Sequence, residues 1–328
     1  LPPSRAGPMT PVLAVQDLVK EFALGSGRGR RSVRAVDGVS FDVAQRETLA
    51  LVGESGSGKT TTALCALALE PPTSGSVAID GQTLAGLTPR RLRGVRRQAQ
   101  FIFQDPFASL NPRMSVGEII REPLDIHKIG SRTEREARVG ELLRSVGLSP
   151  DSASRSPHQF SGGQRQRIGI ARALALSPKL LVCDEPVSAL DVSVQAQVIN
   201  LLMDLQDEHD LAYLFIAHDL AVVRQLAHRV AVMYLGAIVE QGDVGQVIAA
   251  PRHPYTRALI SAAPAHPRSG TGRRERIVLT GEPPSPIDPP PGCPFQTRCW
   301  KAQDRCRTER PALTETDGHH VACHFPER

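Results

Sequence analysis

At 328 residues, 41% hydrophobic and 22% charged, the chain has the composition of a folded protein, and it is long enough for a large domain with a smaller one attached. No apolar run approaches the roughly 18 residues that a membrane span requires, and the opening LPPSRAGPMT lacks the apolar core of a secretion signal, so the expectation is a soluble intracellular protein. The formal charge of +5 decides little, because the arginine clusters GSGRGRRSVR (25–34) and TPRRLRGVRRQ (88–98) lack interleaved aromatics and read as solvated loop or helix faces.

From residue 12 to 52, short β-like runs (VLAVQDLV, VRAVDGVSFDV, ETLALV) alternate with turn-rich joints. They predict a small antiparallel lead-in that ends in a strand over Thr48–Val52. The next stretch, GESGSGKTT, breaks into glycine before a helix predicted over 60–69. Gly53, Gly56 and Gly58 let the backbone turn with its N–H groups inward, and the helix start adds the positive end of its dipole, which together make an anion site. Gly53, Gly58, Lys59 and Thr60 stand at the spacing G-x-x-x-x-G-K-[ST], in which the lysine reaches the β- and γ-phosphates and the threonine hydroxyl ligates Mg²⁺.

Further along, SVAIDGQTL reads as a strand pair, residues 88–98 as an arginine-rich helix, and 134–146 as a periodic helix. FSGGQ follows. Ser161 is a good N-cap and the glycines leave N–H groups unobstructed before a helix over 164–175, so this is a second anion-binding helix start. Residues 180–183 form a buried strand that delivers Asp184 and Glu185 at its C-terminal tip, where open α/β sheets bind ligands. Asp184 can hold Mg²⁺ there, and Glu185 can polarise an attacking water. VSVQAQVINLLMDLQDEH is an amphipathic helix, and YLFIAHD and RVAVMYLGAIVEQG are strands. This alternation argues for an α/β fold with a mainly parallel sheet, and the absence of an internal repeat implies one nucleotide-binding unit. Composition changes near Ala250, which places a domain boundary there: 12–250 as the nucleotide-binding domain and 251–328 as an extension.

GESGSGKTT, FSGGQRQRIGIARAL, LLVCDEP, SALD and IAHD resemble, in that order, the motifs of an ABC-type ATPase, a P-loop NTPase whose core carries an antiparallel lead-in sheet and a helical subdomain. The resemblance covers about 12–250 and implies a role for each matching residue. Phe22 would stack on adenine, although a core phenylalanine is the alternative. Gly53, Ser55, Gly56, Ser57, Gly58, Lys59, Thr60 and Thr61 would cradle the phosphates of ATP. Thr60, Gln104 and Asp184 would ligate Mg²⁺, Glu185 would be the base, and His218 would contact the γ-phosphate. In this family two such domains close head to tail. Ser161, Gly162, Gly163, Gln164 and Asp191 would then contact ATP held by a second ATPase subunit, or by a fused half. One departure is visible: relatives usually carry Gly-Glu before the phosphate-loop strand, whereas this chain has Arg46-Glu47, which implies a different local backbone.

The extension carries Cys293, Cys299, Cys306 and Cys323, spaced C-x5-C-x6-C-x16-C, whereas Cys65 and Cys183 sit in apolar positions and read as packed thiols. Four clustered thiols in a reducing compartment favour metal over disulfides, although the C-x(2–4)-C knuckle usual for structural zinc is missing. HPYTRALISAAP, GCPFQTRCW and GHHVACH resemble the C-terminal extension of dipeptide and oligopeptide importer ATPases. In such proteins the cysteines can hold a [4Fe–4S] cluster; zinc and unliganded thiols stay as alternatives. The resemblance implies a peripheral ATPase on the cytoplasmic face of the inner membrane, partnered by two permease subunits and indirectly by an extracytoplasmic solute-binding protein, without nucleic acid. Peptide import is the expected function, with nickel as the variant. An ABC ATPase acting in DNA repair or translation fits less well, since about a hundred residues separate Lys59 from Ser161 without sustained heptads. The proline-rich start without Met fits a cloning or processing boundary, or the C-terminal half of a tandem ATPase.

Overall fold

The computed structural model describes residues 11–24, 31–262 and 276–327. In chain order its elements are β1 (Leu13–Leu24), β2 (Arg31–Val43), β3 (Thr48–Val52), α1 (Lys59–Ala66), β4 (Ser74–Ile79), β5 (Gln82–Thr83), α2 (Pro89–Arg96), β6 (Ala99–Ile102), α3 (Val116–His127), α4 (Arg132–Ser145), α5 (Gly162–Leu174) and β7 (Leu180–Asp184). There follow α6 (Val192–His209), β8 (Ala212–Ala217), α7 (Leu220–Leu226), β9 (Arg229–Tyr234), β10 (Ala237–Asp243), α8 (Val244–Ala249), α9 (Pro254–Ala262), α10 (Asp304–Thr308), β11 (Thr314–Thr316) and β12 (His319–Val321). Among the described residues no helix is long and apolar enough to cross a membrane. The opening residues 1–10, on which the reading of a boundary or tandem half rests, lie outside the described residues.

The described residues divide into two compact units, the first holding 11–13, 43–47 and 78–215 and the second the remainder. In the first, β6 runs parallel to β7, with Ala99 opposite Leu180 and Ile102 opposite Cys183. Helices α3, α4 and α5 pack on one another, and Ile119, Ile120, Leu142, Leu143 and Ile168 on them are all buried. Each of the three starts with a reciprocal capping box, made by Ser115 with Glu118, Ser131 with Glu134, and Ser161 with Gln164. An N-cap of this kind contributes about 1 kcal/mol. Cys183 is fully buried in β7, and in the second unit Cys65 is fully buried in α1, where burial pushes its thiol up to about 11.

The second unit is built around β3 and β9, which run parallel with Val52 opposite Val232. β9 turns back into β10, and β12 adds antiparallel to β10 with Val321 opposite Glu240, so the C-terminal extension continues the sheet. Beside this lie β2, β1 and β4, side by side in that order. All residues from 251 onward that are described belong to this unit, together with the phosphate loop.

Two local expectations are revised and one holds. Helix α1 begins at Lys59 and stops at Ala66, because Ala68 turns left-handed at φ 50°. Residues 31–34 of the first arginine cluster are strand β2, and the rest of that cluster, 25–30, lies outside the described residues. The second cluster is helical over Pro89–Arg96, as expected, and buries only Val95.

Arg46 adopts φ 60°, so it occupies the left-handed turn that a glycine would occupy and the backbone is not rerouted. Exposed ion pairs with Asp207 (3.6 Å) and Asp210 (3.0 Å) hold the side chain. Arg46→Gly is therefore expected to change stability by under about 1 kcal/mol, since relief of strain offsets the greater chain entropy of glycine. Arg46→Val, β-branched at a positive φ, is expected to cost about 1–2 kcal/mol. Denaturant midpoints of the two variants check this, and equal midpoints would refute it.

Candidate functional site

Strand β3 is buried along its whole length, and from its end the chain enters the loop 53–58. A Cβ on Gly53 would lie 2.3 Å from the Met233 carbonyl oxygen, and one on Gly58 would lie 2.3 Å from that of Ala35. Gly58, at φ 101°, is also the residue from which α1 starts. Glycine is thus required on two counts, backbone conformation and close approach. Outside the loop, the Gly236 N–H donates to the Ser57 carbonyl (3.0 Å). Lys59 is buried and folds over the loop, its Nζ donating to the carbonyls of Gly53 (2.8 Å) and Glu54 (3.0 Å). Ser55, Gly56 and Thr60 are exposed and Thr61 is half-buried, so the concavity opens to solvent with a cation at its base. Phe22 is 38% exposed at the end of β1, with Lys20 Nζ 4.8 Å from its ring centre; it is a surface aromatic and not a core one.

In the first unit, β7 ends on Asp184, a carboxylate buried to 6% exposure behind four apolar residues. Glu185 follows with φ 43°, a left-handed residue that turns the chain at the strand tip, and its carbonyl accepts from Ser188 Oγ (3.0 Å). Gln104, just after β6, donates from Nε2 to Glu185 Oε2 at 2.9 Å. The parallel register of β6 and β7 explains this, because it carries the two chain ends in the same direction. Gln104 and Glu185 are thus brought together 81 residues apart. His218 is exposed immediately after β8.

Ser161 caps α5. Its Oγ accepts from the Gln164 N–H (3.3 Å), and Gln164 Oε1 accepts from the Ser161 N–H (3.0 Å). Gly163 has a further reason to be glycine: a Cβ there would lie 2.3 Å from Val194 Cγ1, so the residue lets α5 approach α6. Asp191 is exposed at the start of α6 and makes no side-chain capping bond.

In the extension, Cys293, Cys299, Cys306 and Cys323 line one small cavity together with His253, Phe295 and Lys301. The Cys293 N–H donates to the Cys306 carbonyl (2.8 Å), and Gly292 must be glycine at φ 71°, because a Cβ would lie 2.5 Å from that same carbonyl. Burial raises the Cys293 and Cys299 thiols and pushes Cys323 up to about 11, with neighbouring cysteines adding to the rise. Among the described residues no group of three or more His, Cys, Asp or Glu side chains is gathered around a single point as one metal ion would need.

Sequence reasoning missed three residues here. Glu54 of the phosphate loop is paired with Arg298, and its N–H donates to the Tyr255 hydroxyl (2.8 Å). These are links of 244 and 201 residues, with no local signal to reveal them.

The ABC transporter family matches residues 36–188, and the family described as "Oligopeptide/dipeptide transporter, C-terminal region" matches 239–306. The chain is 51% identical over 319 residues to the "Oligopeptide transport ATP-binding protein AppF" of Bacillus subtilis (strain 168), covering 96% of this chain and 97% of that one. It is 50% identical over 323 residues to the "Di/tripeptide transport ATP-binding protein DppF" of Pseudomonas aeruginosa (strain UCBPP-PA14), covering 98% and 99%. Among solved structures it is similar to the "Dimeric structure of a post-hydrolysis state of the ATP-binding cassette MJ0796 bound to ADP and Pi", with a TM-score of 0.64 and 30% identity over 71% of this chain and 98% of that one.

Proposed function

Because this chain belongs to the ABC transporter family, as an ATPase whose C-terminal extension is of the oligopeptide/dipeptide type, we propose that it powers the import of di- and oligopeptides. The observation that carries this is the presence, in one chain, of a phosphate loop and that extension, joined through Glu54. Two permease subunits form the membrane path, a solute-binding protein delivers the peptide, and the chain works on the cytoplasmic face of the inner membrane. A second ATPase subunit completes each site in trans through Ser161, Gly162, Gly163, Gln164 and Asp191. Uptake of labelled peptides into vesicles bearing the purified complex tests the reading. Uptake of nickel without peptide would overturn it.

The division of chemistry follows from the residue types. Lys59 and the N–H groups of 53–61 bind and orient the phosphates of ATP. The donor set of Thr60, Gln104 and Asp184 is hydroxyl, amide and carboxylate oxygen, which suits Mg²⁺; the ion supplies charge neutralisation at the phosphates when bound. Glu185 takes the proton of the attacking water, held in place by the Gln104 amide. His218 contacts the γ-phosphate, and Phe22 offers an exposed face to adenine.

For the cysteines we infer a [4Fe–4S] cluster held by Cys293, Cys299, Cys306 and Cys323. What supports it is that all four thiols line one cavity, and four thiolates are a ligand set suited to such a cluster. Its irons would supply the positive charge that keeps the four thiols, two buried and two half-buried, deprotonated. Anaerobically purified protein is expected to contain iron and acid-labile sulfide in equal amounts. Zinc alone, with no iron under the same handling, would sink the idea.

A further inference from the structure

We propose that Arg298 and Tyr255, both in the C-terminal extension, are positioning residues of the phosphate loop and set its affinity for ATP by holding Glu54. Three groups of Glu54 are engaged at once. Its carboxylate receives both terminal nitrogens of Arg298, Nη1 at 2.7 Å from Oε2 and Nη2 at 3.2 Å from Oε1. Its N–H donates to the Tyr255 hydroxyl at 2.8 Å, and its carbonyl accepts from Lys59 Nζ at 3.0 Å. Glu54 thus couples the loop lysine to two side chains contributed from outside the loop.

Both of those side chains are firmly held. Arg298 is only 7% exposed in its side chain, and the tight turn 293–298, with the Arg298 N–H donating to the Phe295 carbonyl (3.1 Å), fixes where it emerges. Phe295 is fully buried against Tyr234 (5.2 Å between ring centres) and Tyr255 (5.4 Å). Tyr255 in turn is placed by the residues before it: Pro254 opens α9, and His253 Nδ1 accepts the Tyr255 N–H at 3.1 Å. Burial pushes His253 down to about 4, so the ring is neutral and free to accept. A bidentate guanidinium pair is directional as well as strong, so it defines the position of Glu54 where a lone charge would not. Preorganised in this way, the loop spends less of the ATP binding energy on ordering itself.

Arg298 also stands between Cys293 and Cys299, two walls of the thiol cavity. The clamp on Glu54 therefore springs from the same stretch of chain that carries Cys293 and Cys299.

The proposal rests on the loop 53–61 holding the phosphates of ATP, and the experiment separates the two. In the assembled transporter, the KM for ATP and kcat are measured for Arg298→Ala, Arg298→Lys, Tyr255→Phe and Lys59→Ala. Arg298→Ala is expected to raise KM about five- to tenfold with kcat changed less than about twofold, the scale of one charge-assisted hydrogen-bonded pair. Arg298→Lys keeps the charge without the fork and is expected to recover part of the loss. Tyr255→Phe preserves the ring packing, so it guards against misfolding of the alanine variant, and is expected to raise KM about threefold. Combining Arg298→Ala with Glu54→Ala is expected to cost no more than the worse single change. Should Lys59→Ala abolish ATP binding while Arg298→Ala and Tyr255→Phe keep the parent KM, the positioning role is refuted, even if both lower thermal stability. Should Lys59→Ala keep full ATP binding, the loop itself is misassigned.

Discussion

Glu185→Gln in the assembled transporter is expected to lower ATP turnover by about a hundredfold or more while leaving ATP binding intact. The contact to Gln104 explains why the substitution is clean. Gln104 donates an amide N–H to Glu185 Oε2 at 2.9 Å, and a glutamine at 185 keeps an oxygen that can accept it. Shape and position survive, but the group can no longer take a proton from water. With hydrolysis blocked and nucleotide held, the closed ATP-bound dimer should accumulate, visible as ATP retained after gel filtration. Lys59→Ala should fail differently, at binding, because it removes the cation that lies over the loop carbonyls of Gly53 and Glu54. Parent-rate hydrolysis by Glu185→Gln would place the base elsewhere, with a site on the partner subunit the next candidate.

The parts of this site that were legible in the sequence are those whose physics is local. Strand β3 over Thr48–Val52 and helix α6 over Val192–His209 were readable from apolar runs and periodicity, and the loop glycines from their spacing with Lys59. The capping boxes at Ser115 and Ser131 are equally local, since each is written in the sequence as S-x-x-E. Arg46 misled because its turn is imposed by the chain around it, a glycine-like conformation tolerated by an arginine. The reason for Gly163 was only half visible, since the side chain it makes room for, Val194, belongs to the next helix. The clamp on Glu54 was invisible for the same reason on a larger scale: a partner 244 residues distant leaves no periodicity to read. The tail cysteines announced a cavity by their clustering, but nothing in their spacing said that the residue before Cys299 reaches the phosphate loop.

Glu240 should be the most damaging single position to empty in the second unit. It lies in β10, a strand buried at six of its seven positions, and is itself fully buried. Its Oε1 accepts from the Arg252 N–H (2.6 Å) and from His319 Nε2 (2.7 Å), and its Oε2 from the His253 N–H (2.9 Å). One carboxylate thus joins the start of the extension to β12 near its end. Glu240→Ala leaves two backbone donors and an imidazole buried without that acceptor, at an expected cost of about 3–5 kcal/mol. Differential scanning of the holoprotein should show Tm falling by roughly 6 °C or more. The loss should not stay local. His253 and Pro254 set the start of α9, and α9 carries the Tyr255 hydroxyl to the Glu54 N–H, so unseating residue 253 loosens the phosphate loop as well. Glu240→Ala is accordingly expected to raise the KM for ATP in the direction of Arg298→Ala while lowering Tm more. Glu240→Gln retains one acceptor oxygen and should fall between. A variant lacking the carboxylate that melts with the parent protein would show that the extension is held by its sheet pairing and aromatic packing alone.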